Sequence, residues 1–310
     1  LLELREEIKK YLKRTIGVSY CAKDEIIVTV GASESIDLAL RALMNPGDEV
    51  LVPEPSYVSY KPCVSMADGV PVVVNTKAEN RFKLTVDDIR DKITDKTKAL
   101  ILPYPNNPTG AIMEKEDIEK LAEFLKDKDI IVISDEIYSE LTYGGKKHVS
   151  IASIDYMRDK TIVINGFSKS YAMTGWRLGY AAGSKEIISA MTKIHQYCIM
   201  CAPTTSQQAA VEALRNCDDA VAEMRKEYDR RRRFMRKGFL DMGLDCYDAE
   251  GAFYLFPCIK STGLGTDEFC ERLLFEEKVA VVPGTAFGEC GEGFIRCSYA
   301  YSIDEIRVAL

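Results

Sequence analysis

Short apolar runs rich in β-branched residues recur along the chain, and between them lie stretches whose apolar positions repeat at helical spacing. Seven such runs can be placed, at 26–30, 49–52, 71–74, 98–102, 130–133, 161–164 and 178–182. Their alternation with helices predicts an α/β fold with a mostly parallel seven-stranded sheet sandwiched by helices, since a parallel connection needs a crossover long enough to hold a helix. Ile130-Ile131-Val132-Ile133 is the clearest case: it leaves no polar face, so this strand is buried on both sides. In sheets of this kind ligands sit outside the carboxyl ends of the strands, where loops present side chains. The residues that follow each run are therefore the candidates for chemistry.

After 161–164 the chain turns at Asn165-Gly166 into a polar stretch holding Ser168, Lys169 and Ser170, with Arg177 further along. In a partly dry cleft, desolvation lowers a lysine pKa and makes its amine a nucleophile toward an aldehyde. The donor fork of Arg177 suits a phosphate. A solvated lysine beside a surface arginine is the plainer alternative. Gly31, Ala32 and Ser33 follow 26–30 and open a helix whose free N–H groups and dipole suit an anion; an ordinary serine cap is the alternative. The loop P-Y-P-N-N-P-T-G at 103–110 is stiffened by its prolines, and Asn107 is its residue of interest, with a turn former as the plain reading. Asp135, followed by Tyr138 in S-D-E-I-Y, is a carboxylate beside a buried strand. It must meet a cation or be protonated, unless it merely caps a helix. Arg296 stands within the apolar run 294–299, and its charge needs a partner, which a strand-edge salt bridge could also supply.

A net charge of -7 argues against a nucleic-acid or anionic-membrane partner, since both need a basic face. No stretch has the length of a membrane span and the first residues form no signal peptide, so a cytoplasmic protein is expected. Ten irregularly spaced cysteines read as reduced thiols, mostly small buried side chains. His195, Cys198 and Cys201 form an H-x-x-C-x-x-C pattern, but no second pair of ligands lies nearby, and no metal site is assigned. The arginines at 230–233 follow interleaved acids and read as a solvated helix face.

Residues 1–208 read as a large α/β domain. The remainder, 209–310, reads as a connecting helix, part of a long helical pattern from 204 to 240, and a small α+β domain. The small domain has strands at 251–257, 279–282 and 294–299 around a helix at 266–278.

The stretch S-K-S-Y-A-M-T-G-W-R at 168–177 resembles the lysine segment of the pyridoxal-phosphate-dependent aminotransferases of class I/II, the aspartate/aromatic group of fold type I. The likeness runs over nearly the whole chain, with the motifs at 31–33, 103–110 and 134–138 in the expected order. It implies that Lys169 binds pyridoxal 5'-phosphate as a Schiff base and later moves a proton. It implies that Asp135 keeps the ring nitrogen protonated, and that Asn107 and Tyr138 hydrogen-bond the phenolic oxygen. Tyr57 matches the aromatic that stacks on the ring, where the family often has Trp. Gly31, Ala32, Ser33, Ser168 and Arg177 match the phosphate site, and Arg296 matches the clamp on the substrate α-carboxylate. Some relatives have a phosphate-binding serine where this chain has Gly166, which is why Ser168 takes that role. The activity so implied is transamination between an aromatic or aspartate-like L-amino acid and a 2-oxo acid such as 2-oxoglutarate. A carbon–sulfur β-lyase and a non-catalytic cofactor-binding regulator are the alternatives. The family's N-terminal arm is not seen here; the chain opens on an uncapped amphipathic helix without Met and stops on a helix barely begun. The expectation is part of a longer polypeptide that forms a homodimer with its sites near the subunit boundary.

Overall fold

A computed structural model describes residues 1–310. Seven strands, β1 (Ile26–Thr29), β2 (Glu49–Glu54), β3 (Val70–Asn75), β4 (Thr97–Leu102), β5 (Ile131–Asp135), β6 (Thr161–Gly166) and β7 (Gly179–Ala182), form one sheet in the order β1-β7-β6-β5-β4-β2-β3. All run parallel except β7, which is antiparallel to both β1 and β6. Because β7 runs the other way, its first residue lies level with the last residues of its neighbours: Gly179 is opposite Thr29 on one side and Gly166 on the other.

The period of two divides the strand side chains between two cores. Ala99, Ile101, Ile133, Ile162 and Ile164 meet helices Ala32–Leu43, Tyr60–Met66 and Lys185–Cys198 on one face. On the other face, Leu100, Leu102 and Val132 meet helix Lys115–Leu125, while Val163 and Tyr180 meet helices Leu2–Thr15 and Thr204–Asn216. Each buried Ile or Leu contributes about 1.5–3 kcal/mol, which is what holds the two helical layers on.

A second, three-stranded antiparallel sheet has the order β8-β10-β9, with β8 at Tyr254–Leu255, β9 at Val282–Pro283 and β10 at Ile295–Ser298. Its core takes in Tyr138, Leu141 and Tyr143, which follow β5, while Phe256 and Phe287 join the core of Leu100 and Leu102, so the two sheets are in hydrophobic contact on both sides of the strand ends.

Several elements depart from the sequence reading. The pattern at 204–240 is two helices, Thr204–Asn216 and Asp218–Asp241. Cys217 leaves helical geometry at φ -110° and ψ 14°, and Asp218 and Asp219 supply the acids that favour a new helix start. The strand expected at 279–282 begins at Val282, because Lys278 adopts left-handed geometry at φ 62° in ending helix Thr266–Glu277. Only Cys63, Cys246 and Cys297 are buried, whereas Cys21, Cys198 and Cys201 are exposed. His195 lies 2.8 Å from Glu34 through Nδ1, away from those thiols' pattern. Within the arginine run, Arg232 is not solvated but buried, donating to Asp229, Asp248 and the carbonyl of Ala249.

The junction of β1, β7 and the helix after β1 tolerates no extra atom. A Cβ on Gly179 would lie 2.5 Å from the nitrogen of Ala32 and 2.5 Å from the carbonyl carbon of Gly31. Gly179→Ala is therefore expected to destabilise the fold by about 1–3 kcal/mol, read as a lower urea midpoint at unchanged slope. An unmoved midpoint would show that this junction is not rigid.

Candidate active site

The carboxyl ends of β1, β4, β5 and β6 and the start of β7 open on one cavity of about 250 Å³. Of the residues singled out in the sequence, Ala32, Ser33, Tyr57, Asn107, Asp135, Tyr138, Ser168, Lys169, Arg177 and Arg296 all line it. Gly31 stands just behind.

Gly31 turns the chain from β1 into helix Ala32–Leu43 at φ 79°, so the helix cap is this glycine and not a serine. Buried Thr29 fixes the turn, its hydroxyl donating to the carbonyl of Gly31 at 3.0 Å and lying 2.8 Å from that of Ser35. The missing side chain matters, since a Cβ there would come 2.8 Å from Arg177 Nη2. Arg177 is thereby held over the helix start. It precedes β7 instead of following a strand as expected, and reaches this edge only because β7 is antiparallel. Its own backbone is left-handed at φ 49°, a conformation that costs an L-residue about 1–2 kcal/mol. Nη1 donates to the carbonyl of Thr174 at 3.0 Å, and no carboxylate answers the charge. Helix N–H groups, the buried Ser168 and this guanidinium together make a cradle for an anion. Gly166 is explained as well: a Cβ would meet the carbonyl of Leu178 at 2.9 Å and the Cα of Gly179 at 3.0 Å, so no serine fits there.

Lys169 lies on a single helical turn, Phe167–Ser170, where the sequence suggested only a polar turn. Its amine sits 5.4 Å from the ring centre of Phe253 and 6.0 Å from that of Tyr138. Burial lowers its pKa from the usual lysine value, and Arg177 and Arg296 push the same way.

Asp135 ends β5, buried. Tyr60 donates to its Oδ2 at 2.8 Å, and the backbone N–H of Ile137 donates to Oδ1 at 3.2 Å. No cation lies against it, and burial raises its pKa to about 6 despite those two donors. Tyr60 was missed in the sequence, although its place in P-S-Y-V-S-Y is the available signal. A turn closed by the Tyr60 N–H on the Tyr57 carbonyl at 3.2 Å brings the two together, and their rings meet edge to face at 5.7 Å.

Arg296 projects from β10 of the second sheet. Nη1 donates to Asn107 Oδ1 at 2.9 Å, and the guanidinium lies over the rings of Tyr254 at 4.5 Å and Phe287 at 4.8 Å. Its buried Nε has no partner, so the salt bridge suggested as an alternative is not formed. With its oxygen taken by Arg296, Asn107 has its amide nitrogen free to donate into the cavity. Tyr254, also missed, lies 3.1 Å from Tyr138, hydroxyl to hydroxyl.

Asp135 links this geometry to pH. With a folded pKa near 6 and an ordinary value of 3.8, it binds more protons folded than unfolded between those limits. The stability it lends is full below about pH 4 and is lost as pH rises through about 6, a difference of about 3 kcal/mol. In the ligand-free protein, Asp135→Asn should therefore raise stability at pH 7–8 and flatten the decline between pH 4 and 6, as followed by urea unfolding. Parallel pH profiles for the two proteins would mean the carboxylate is matched by something else.

The chain matches the sequence profile of "Aminotransferase class I and II" over residues 1–310. It is 51% identical over 310 residues to a putative aminotransferase, YugH, of Bacillus subtilis, which covers all of this chain and 80% of that protein. It is 49% identical over 312 residues to an aspartate aminotransferase of Pyrococcus abyssi, again with all of this chain and 80% of the relative. Among solved structures, an aromatic aminotransferase from Pyrococcus horikoshii superposes with a TM-score of 0.98 at 48% identity, over 100% of this chain and 83% of that one. Profile, sequence identity and superposition thus agree, and the chain belongs to the class I and II aminotransferases, with their fold type I architecture.

Proposed function

We propose that this aminotransferase carries pyridoxal 5'-phosphate in the cavity and moves an amino group from an aromatic or aspartate-like L-amino acid to a 2-oxo acid such as 2-oxoglutarate. One observation carries the reading. Asp135, Lys169, Arg177 and Arg296 line one cavity, and none of them has an ionic partner within the chain. Unpaired charges at such a place are matched by a ligand. Pyridoxal phosphate fits the set, with a phosphate for the cradle at Gly31 and Arg177, a ring nitrogen for Asp135 and an aldehyde for Lys169.

The cofactor, when bound, supplies an electron sink for the charge left on a substrate carbon that loses a proton. In this reading the N–H groups of Ala32 and Ser33, the Ser168 hydroxyl and Arg177 bind the phosphate. Asp135 holds a proton at the ring nitrogen, and Tyr60 keeps the carboxylate turned toward it. Tyr57 stacks on the ring, while Asn107 Nδ2 and the Tyr138 hydroxyl donate to the phenolic oxygen. Lys169, its neutral amine favoured by burial and by two guanidiniums, would take the proton from the substrate Cα and hold it for return. Arg296 binds the α-carboxylate. Its stacked rings, together with the bond to Asn107, hold the fork in place before the substrate arrives. The division into a cofactor-holding part, 1–208, and a part bearing the carboxylate clamp, 209–310, belongs to the same reading and is supported by the two separate sheets.

Borohydride reduction of the yellow protein followed by peptide mapping should place the pyridoxyl group on Lys169, and an amino-donor panel with 2-oxoglutarate should yield glutamate. A label on another lysine overturns the assignment. Release of thiol and ammonia from sulfur amino acids without glutamate would favour the β-lyase.

Arg296→Ala is expected to lower kcat/KM for every amino acid by about 100-fold, the scale of losing a charge-assisted pair, while leaving cofactor affinity intact. An equal loss with simple amines, which carry no carboxylate, would make Arg296 structural.

A further inference from the structure

The reading above leaves Tyr254 without a task, yet this residue contacts two of the cavity's polar residues, Tyr138 and Arg296. It is the first residue of β8, buried, with its ring under Arg296 and its hydroxyl against that of Tyr138. Neither hydroxyl has another partner in the chain, so the pair shares one hydrogen bond and has one proton left to direct elsewhere. Two arrangements are possible. If Tyr138 donates to Tyr254, the cavity receives only an acceptor from Tyr138. If Tyr254 donates to Tyr138, the Tyr138 proton is turned into the cavity, and its donor strength is raised by the bond behind it. Burial keeps both phenols protonated well past neutral pH. The ionisable groups facing the pair are Asp135, Lys169, Arg296, Tyr57, Tyr60 and Tyr228, and Arg296 lies closer over the Tyr254 ring, at 4.5 Å, than the Lys169 amine over that of Tyr138, at 6.0 Å, which makes Tyr254 the better donor of the two.

We infer that Tyr254 is a positioning residue, which donates to Tyr138 Oη and so fixes the Tyr138 hydroxyl as a donor to an acceptor oxygen in the cavity. The inference rests on the pyridoxal-phosphate reading, in which that acceptor is the cofactor's phenolic oxygen. Weakening the Tyr138 donor leaves more negative charge on this oxygen, and that charge holds a proton more tightly at the neighbouring Lys169 nitrogen.

The test is a pH titration of the visible absorption band of the holoenzyme in four proteins: wild type, Tyr254→Phe, Tyr138→Phe and the double variant. Tyr254→Phe keeps the ring under Arg296, and equal melting temperatures confirm that the fold is retained. Its midpoint should move up by about 0.5–1 pH unit, the scale of one neutral hydrogen bond, with kcat reduced about three- to tenfold and the amino-acid KM within twofold. In the Tyr138→Phe background the same substitution should add nothing. An unshifted midpoint in Tyr254→Phe, or an equal shift in both backgrounds, overturns the inference alone. A wild-type protein that takes up no cofactor at Lys169 overturns the underlying reading and this inference with it.

Discussion

Charge without a partner, held at the end of a sheet with two dry faces, is the constraint around which this molecule is built. Two arginines show the difference. Arg232 is buried and answered by Asp229 and Asp248, as a structural cation must be. Arg296 has a buried, unpaired Nε and two aromatic faces instead of a carboxylate. Asp135 is the converse, a buried acid with two neutral donors and no cation. Leaving such groups uncompensated lowers stability, and the large apolar cores on both sides of the sheet offset that loss.

The single antiparallel strand then decides which groups meet. Were β7 parallel, the segment before it would emerge at the opposite edge of the sheet, and Arg177 would lie a strand's length from Lys169. Reversal brings it beside the helix start at Ala32, and the absence of side chains at Gly31, Gly166 and Gly179 lets three backbones close together there. These glycines are explained by close approach; only Gly31 among them also needs its positive φ.

Lys169, Asp135 and Asn107 were legible because each follows an apolar run, and the rule placing ligands at strand ends needs no knowledge of strand order. Strand order itself was not legible: β1 pairs with β7, more than a hundred residues away in sequence, and no local pattern records such a contact. Tyr60 and Tyr254 escaped for a related reason. Both sit in aromatic runs, P-S-Y-V-S-Y and G-A-F-Y-L-F-P, whose members look alike until the tertiary structure gives one hydroxyl a carboxylate and another a phenol. The helix break at Cys217 uses neither Gly nor Pro, and its sequence signal is confined to the acids Asp218 and Asp219 that open the next helix.

The two sheets are joined beside the cavity. Gly110 and Gly251 lie in close backbone contact, since a Cβ on Gly110 would meet the carbonyl of Gly251 at 2.8 Å and one on Gly251 would meet Pro105 Cβ at 2.5 Å. Gly251 also donates its N–H to the carbonyl of Gly110 at 2.9 Å. The loop bearing Asn107 is thus clamped to the strand region bearing Tyr254, and the bond from Arg296 to Asn107 closes a second tie between the same parts. A shift of the second sheet must therefore move Arg296, the Tyr138 partner Tyr254 and the Asn107 amide together. These two ties set the positions of all three groups, which is why a substitution at this seam would disturb several cavity residues at once even though it touches none of them.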